Sequence, residues 1–193
     1  MSAATESVSE STKTRLRTTG VGAVSGLGAA LLGYLATYIA TSGTIENSTA
    51  SQLLEALGSG LPTWKVVGWV FLNTHGVVTT FPGIFGTTSS ANLVEQFEAF
   101  STLLYAVPAV ALVGAGAAVA VARGASTVKS GAIAGATTVA GYLPVAVAGV
   151  ALFAVTIGDA VARPDPLTAT LLAGVVYPLA LGTVGGAVTA ALR

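Results

Sequence analysis

His75 is the only imidazole in the chain, and it closes a dense cluster, Trp64-Lys65-x-x-Gly68-Trp69-x-Phe71-x-Asn73-x-His75. Two indoles, an ammonium, a carboxamide and an imidazole at helical spacing suit two different tasks. Trp64, Lys65 and Trp69 suit an interfacial anchor, with rings at headgroup level and the ammonium reaching lipid phosphate. Asn73 and His75 suit a lid that turns polar groups into a cavity and holds a small polar ligand. Three tyrosines stand beside prolines: Tyr105 near Pro108, Tyr142 near Pro144 and Tyr177 before Pro178. Each proline removes a backbone donor and bends its helix. Helices kinked this way can splay around a cavity rimmed by Tyr105, Tyr142 and Tyr177, or the hydroxyls can satisfy the carbonyls that the prolines free.

Other chemistry is missing from the sequence. No Ser or Asp stands at a spacing that would make a triad with His75, and there is no cysteine for a disulfide, a thiolate metal site or a nucleophile. No phosphate-binding glycine loop, H-E-x-x-H or pair of intramembrane carboxylates occurs. The expectation is a non-enzymatic protein with no cofactor, no metal and no catalytic residue. Eight basic and eight acidic residues cancel, which leaves no field to attract nucleic acid.

These residues sit in a chain that is 53% hydrophobic and only 8% charged, with a mean hydropathy of +0.80. Residues 20–41, 100–122, 131–157 and 167–192 are each long enough to cross the ~30 Å hydrocarbon core as a helix. The resulting fold class is all-α: a polytopic membrane helix bundle of four transmembrane helices, with an external helical region, 42–99, between the first and second. Residues 1–19 read as a polar, unstructured cytoplasmic tail, and 20–193 as one membrane domain. A fifth span over 64–85 is disfavoured by Lys65, Asn73, His75 and Pro82. The Trp64–His75 segment is expected to lie along the outer membrane surface, where His75 stays wet and titrates near its ordinary value of about 6.5.

Basic residues orient the chain. Lys13, Arg15, Arg17, Arg123, Lys129 and Arg193 fall on one side of a four-span topology, and Lys65 and Arg163 on the other. The positive-inside rule then makes this a multi-pass cell-membrane protein with both termini cytoplasmic. Asn47-Ser48-Thr49 is a glycosylation sequon on the outer side. In the external region, Ser51 to Leu57 has amphipathic helical spacing, Pro82-Gly83 and residues 86–90 mark turns, and a helix starting at Asn92 should run into the second span. Residues 158–166, with Pro164 and Pro166, read as a short stiff connection.

Gly22-x-x-x-Gly26, Gly131-x-x-x-Gly135 and Gly182-x-x-x-Gly186 place small residues one turn apart near one end of three spans. Small faces let helix backbones approach closely, which drives association in lipid. These pairs point to a tight inner half, made within the chain or between copies.

The stretches Gly33-Tyr34-Leu35-Ala36-Thr37-Tyr38, Pro62 to His75, Gly141-Tyr142-Leu143-Pro144 and Gly174-Val175-Val176-Tyr177-Pro178 resemble those of a haloarchaeal family of small multi-span membrane proteins with no assigned function. The resemblance implies an archaeal cell membrane and transfers no catalytic residue. The functional expectation is a protein that acts by helix packing, as a homo-oligomer or a subunit of a larger membrane complex, in contact with membrane lipids. The alternative is a channel or carrier for a small neutral solute, using an outward-facing cavity.

Overall fold

The computed structural model describes residues 2–48, 61–83, 87–157 and 160–193, with residues 2–19 as backbone. The proposed amphipathic helix at Ser51–Leu57 and Thr49 of the sequon lie outside the described residues. Four helical stretches are long and apolar enough to cross a membrane: Gly20–Glu46, Thr102–Ala122, Val128–Leu152 and Pro166–Ala191. Each expected span coincides with one of these helices, with ends moved by up to five residues, and the last residues of the expected third span, 155–157, form a strand instead.

The first is the C-terminal part of α1 (Ser2–Glu46), which continues back through the polar segment read as an unstructured tail. Its outward face carries Val24, Leu32 and Ile39, each well over half exposed. Such a face belongs in lipid rather than water. Thr37 and Thr41 are buried, and their hydroxyls donate to the carbonyls of Gly33 and Thr37 at 2.9 and 2.7 Å, so no polar group is left bare.

Span two opens with a 3₁₀ turn, Thr102–Tyr105, and continues as α4 (Ala106–Ala122). Span three is divided into α5 (Val128–Ala136) and α6 (Val139–Leu152). The break falls at Thr137-Thr138, one turn and a half before Pro144. There the two hydroxyls take up the carbonyls of Ala134 and Gly135. Span four starts as α7 (Pro166–Thr168), widens into π turns over Ala169–Val176 and resumes as α8 (Tyr177–Ala191). The widened stretch runs up to Pro178, which has no N–H to return to it.

The helices close on one another through glycine. A Cβ at Gly131 or Gly135 would land on the backbone carbonyl of Gly186 or Gly182, and one at Gly186 on that of Gly131. Gly182 faces the Thr138 hydroxyl and the Gly135 carbonyl, while Gly22 and Gly26 meet Thr137 and the Thr138 carbonyl. All six glycines of the sequence pairs are thus used in contacts within the chain. Gly116, Gly141 and Gly185 belong to the same seams without lying in a small-x-x-x-small pair chosen from the sequence. Ala120, Ala125 and Ala190 finish this closed end of the bundle.

The opposite end, the mouth, holds what the all-α expectation lacked. β1 (Thr79–Pro82) pairs with β2 (Thr88–Ala91) and with β4 (Ala160–Pro164), and β4 pairs with β3 (Val155–Ile157). The order is β2-β1-β4-β3, all antiparallel, with Thr79 opposite both Ala91 and Pro164. The β-branched runs Val77-Val78-Thr79-Thr80 and Val155-Thr156-Ile157 favour extended backbone. Within the connection read as short and stiff, Ala160–Pro164 is therefore a paired strand. Asn92 caps only a short helix, α3 (Leu93–Gln96), and the chain turns before span two begins, so the continuous helix expected there is absent.

Candidate functional site

The segment from Trp64 to His75 does not lie on a surface. It forms α2 (Thr63–Asn73), too short to span, which runs from the mouth down between α1 and α6. Gly68 is where Phe153 presses closest, and Leu72 reaches Gly149 one turn lower. Phe71 packs edge-on against Tyr34 at 6.1 Å, and a Cβ on Gly33 would meet the Phe71 ring at 3.0 Å. Residues 67–73 are all buried. The surface pose is corrected for a plain reason: the polar tip finds partners inside protein, so the cost that forbids it in lipid does not arise.

His75 ends this descent, fully buried. Its Nδ1 lies 2.9 Å from the Phe71 carbonyl oxygen and its Nε2 2.7 Å from the Tyr142 hydroxyl. A carbonyl only accepts, so Nδ1 carries the hydrogen. Nε2 then has a free lone pair and accepts from the Tyr142 hydroxyl. Both bonds are made by the neutral ring. His75 belongs to none of the four spans, and burial pushes its imidazole from 6.5 down to about 4, against the raising effect of the backbone bonds. The wet, ordinarily titrating His75 is overturned. The Tyr177 ring stands 5.1 Å from the imidazole and the Phe71 ring also 5.1 Å, so three aromatic walls enclose it.

Past the tip, Gly76 turns the chain back with φ +75°, a conformation that disfavours a side chain. Asn73 holds this reversal. Its Nδ2 donates to the Val77 carbonyl at 2.8 Å and lies 3.2 Å from Thr79 Oγ1, while its Oδ1 accepts from the Leu93 N–H at 2.9 Å. Every donor and the acceptor of the carboxamide are committed. Asn73 is a strut and not a ligand-binding arm.

Of the five residues expected to line one cavity, His75, Tyr142 and Tyr177 converge. Asn73 faces the turn, and Tyr105 belongs elsewhere. The Tyr105 hydroxyl donates to Glu95 Oε1 at 3.1 Å and accepts from Asn92 Nδ2 at 3.0 Å, in a network near the mouth. Asn92 also donates to the Asn73 carbonyl at 3.2 Å, which links this network to the reversal. Sequence reasoning missed the part played by Asn92. The signal was present, since Asn followed three residues later by Glu is the spacing of a helix cap.

The three anchor residues separate as well. Trp64 is 43% exposed, and the Lys65 ammonium sits 5.4 Å over its ring while donating to the Ala154 carbonyl at 2.6 Å. Trp69 is only 2% exposed, and its indole N–H donates to the Phe153 carbonyl at 2.7 Å. Trp69 therefore cannot sit among headgroups. Asn47 is exposed at the end of α1, with its side chain donating to the Gly43 carbonyl at 2.7 Å. Among the described residues no three His, Cys, Asp or Glu side chains gather as a metal site would require.

A site so arranged can hold a small helix in place and keep one imidazole neutral. The glycine seams give it rigid walls. The chain belongs, over residues 1–193, to a family described as a family of unknown function, DUF7978. No curated protein and no solved structure matches it.

Proposed function

We propose that this protein is a non-enzymatic, multi-pass membrane protein that acts by association, as a homo-oligomer or as a subunit of a larger membrane complex. The observation that carries the reading is the self-contained bundle. Its buried Thr, Asn and His side chains bond to one another or to backbone, and among the described residues no Asp, Glu, Lys or Arg is buried along the spans for ion coupling or proton relay. The glycine pairs are consumed within the chain, so association runs through other faces. An open apolar groove of about 640 Å³ between α1 and α4, bordered by Gly20, Val24, Ser25, Ala118 and Ala122, supports this. Crosslinking in native membranes followed by size analysis should give a species larger than one chain. A monomer with no companion would overturn the proposal.

The same reading places both termini in the cytoplasm, supported by the six-to-two distribution of Lys and Arg. It places the protein in an archaeal cell membrane, supported by the resemblance of the Pro62–His75 stretch. A second reading, passage of a small neutral solute, draws on α2. A helix that enters a bundle and turns back is a common way to line a solute path. Reconstitution into liposomes with a panel of neutral solutes decides it, and release no faster than from empty vesicles would remove it.

A further inference from the structure

The second face of α2 looks away from His75 onto a cavity of about 720 Å³ at the mouth, between the end of α1, the β1–β2 hairpin and the stretch from α3 to Phe100. Its size lies within the range of pockets that hold small molecules. Phe81 and Trp69 stand on one side, edge-on at 5.4 Å, with Trp69 almost wholly covered and its ring held by the bond from the indole N–H to the Phe153 carbonyl. Phe97 and Phe100 form another, at 6.4 Å, with Phe97 still 54% exposed. A large ring standing half in the open at the rim of an aromatic pocket has room to cover something.

Thr44, Asn47, Ser48, Ser89 and Gln96 give the lining an uncharged polar part. No charged side chain is among the described residues that line it, although Glu95 and Glu98 are close in sequence. Ser89 and Gln96 are exposed residues of that lining and make no side-chain hydrogen bond among the described residues. An ionised ligand would find no opposite charge among the described residues of the lining. A purely hydrocarbon ligand would leave Ser89 and Gln96 without a role. The cavity also borders the last turn of span one and the segment leading into span two, where the edge of a bilayer would meet it.

We propose that this cavity binds a neutral amphiphile taken from the membrane, a hydrocarbon chain with one uncharged hydroxyl or carbonyl head. The chain lies against Phe81, Phe97 and Phe100, close to Trp69, and the head bonds to Ser89 or Gln96. This stands independently of the association reading, because a monomer could bind such a ligand and an oligomer could lack it.

Trp69 reports on its own site. The chain has two tryptophans, so Trp64→Phe leaves Trp69 as the sole indole. In this variant, held in nanodiscs of zwitterionic lipid, 11-bromoundecan-1-ol should quench Trp69 fluorescence to a saturating limit. Unbrominated undecanol should reverse the quenching, whereas undecanoate and undecyltrimethylammonium should not. Ala99→Phe and Ala91→Leu, which fill the cavity from two different walls, should each abolish saturable quenching while elution volume and circular dichroism stay unchanged. Quenching that rises linearly with added alcohol, persists in both filled variants or is absent throughout would overturn the site. Equal competition by the charged analogues would overturn its neutral character.

Discussion

The proton on His75 is fixed by what stands on either side of the ring. The Phe71 carbonyl takes the Nδ1 hydrogen and Tyr142 donates to Nε2, while a proton added at Nε2 would place an unpaired positive charge in a fully buried site and require the Tyr142 hydroxyl to turn from donor to acceptor. The pKa is lowered in the folded chain, so between about 4 and 6.5 the unfolded chain binds a proton that the folded one does not. Stability is therefore greatest above about pH 6.5 and falls as the pH drops towards 4, by on the order of 3 kcal/mol in all. Thermal unfolding in detergent, followed from pH 7.5 to 4.5, should show that decline. His75→Gln keeps one donor and one acceptor but cannot gain a proton, and its curve should flatten over the same range. An unchanged slope in His75→Gln would assign the pH dependence to other groups. A second variant tests the bond itself. Tyr142→Phe removes the donor to Nε2, leaves a buried lone pair unmet, and should cost about 1–3 kcal/mol at neutral pH.

Among the elements, the glycine seams and α2 make different demands on a side chain. At Gly135 an added methyl would meet the Gly182 carbonyl, which belongs to a helix backbone and cannot turn aside. At Gly149 it would approach the Phe153 ring edge at 3.1 Å and the Leu72 methyl at 3.6 Å, and side-chain ends can yield. Gly135→Ala should lose about 1–3 kcal/mol, seen as a lower melting temperature and poorer yield, while Gly149→Ala stays near the parent. Equal melting temperatures would remove the distinction between the seam and the α2 contact. The seams were partly legible, because small residues one turn apart in an apolar run have few uses other than close approach. The course of α2 was not legible. Periodicity showed that Trp64 to His75 is a helix with polar groups at its end, but an apolar surrounding made of protein and one made of lipid select the same residues. The sheet was hidden differently. Its β-branched runs are visible in the sequence, yet Thr80 pairs with Arg163 across two intervening spans, and no local pattern announces such a partner.

At the scale of the molecule, one end is sealed by backbone contacts and the other is capped by a sheet. Placing the capped end outside makes a prediction that the absence of cysteine renders clean. Glu98 and Ser126 are both exposed, at the mouth and at the closed end respectively. Glu98→Cys should react with an impermeant maleimide on intact cells, and Ser126→Cys only after permeabilisation. The reverse pattern would invert the orientation drawn from the basic residues.

The hydrogen bond between His75 and Tyr142 joins residues 67 positions apart, and the strand that holds β1 comes later still, at Ala160–Pro164. A ribosome delivers α2 to the membrane before either partner has been made. Until the third span is laid in and its hairpin emerges, Asn73 and His75 have no protein interior to enter, and lipid offers them none. A surface pose, the one its sequence suggests, is open to the helix during that interval, and the inward pose becomes favourable only once those partners exist. Vectorial synthesis thus makes the amphipathic character of α2 useful twice, first as a waiting state at the lipid boundary and then as the packing face of the finished protein.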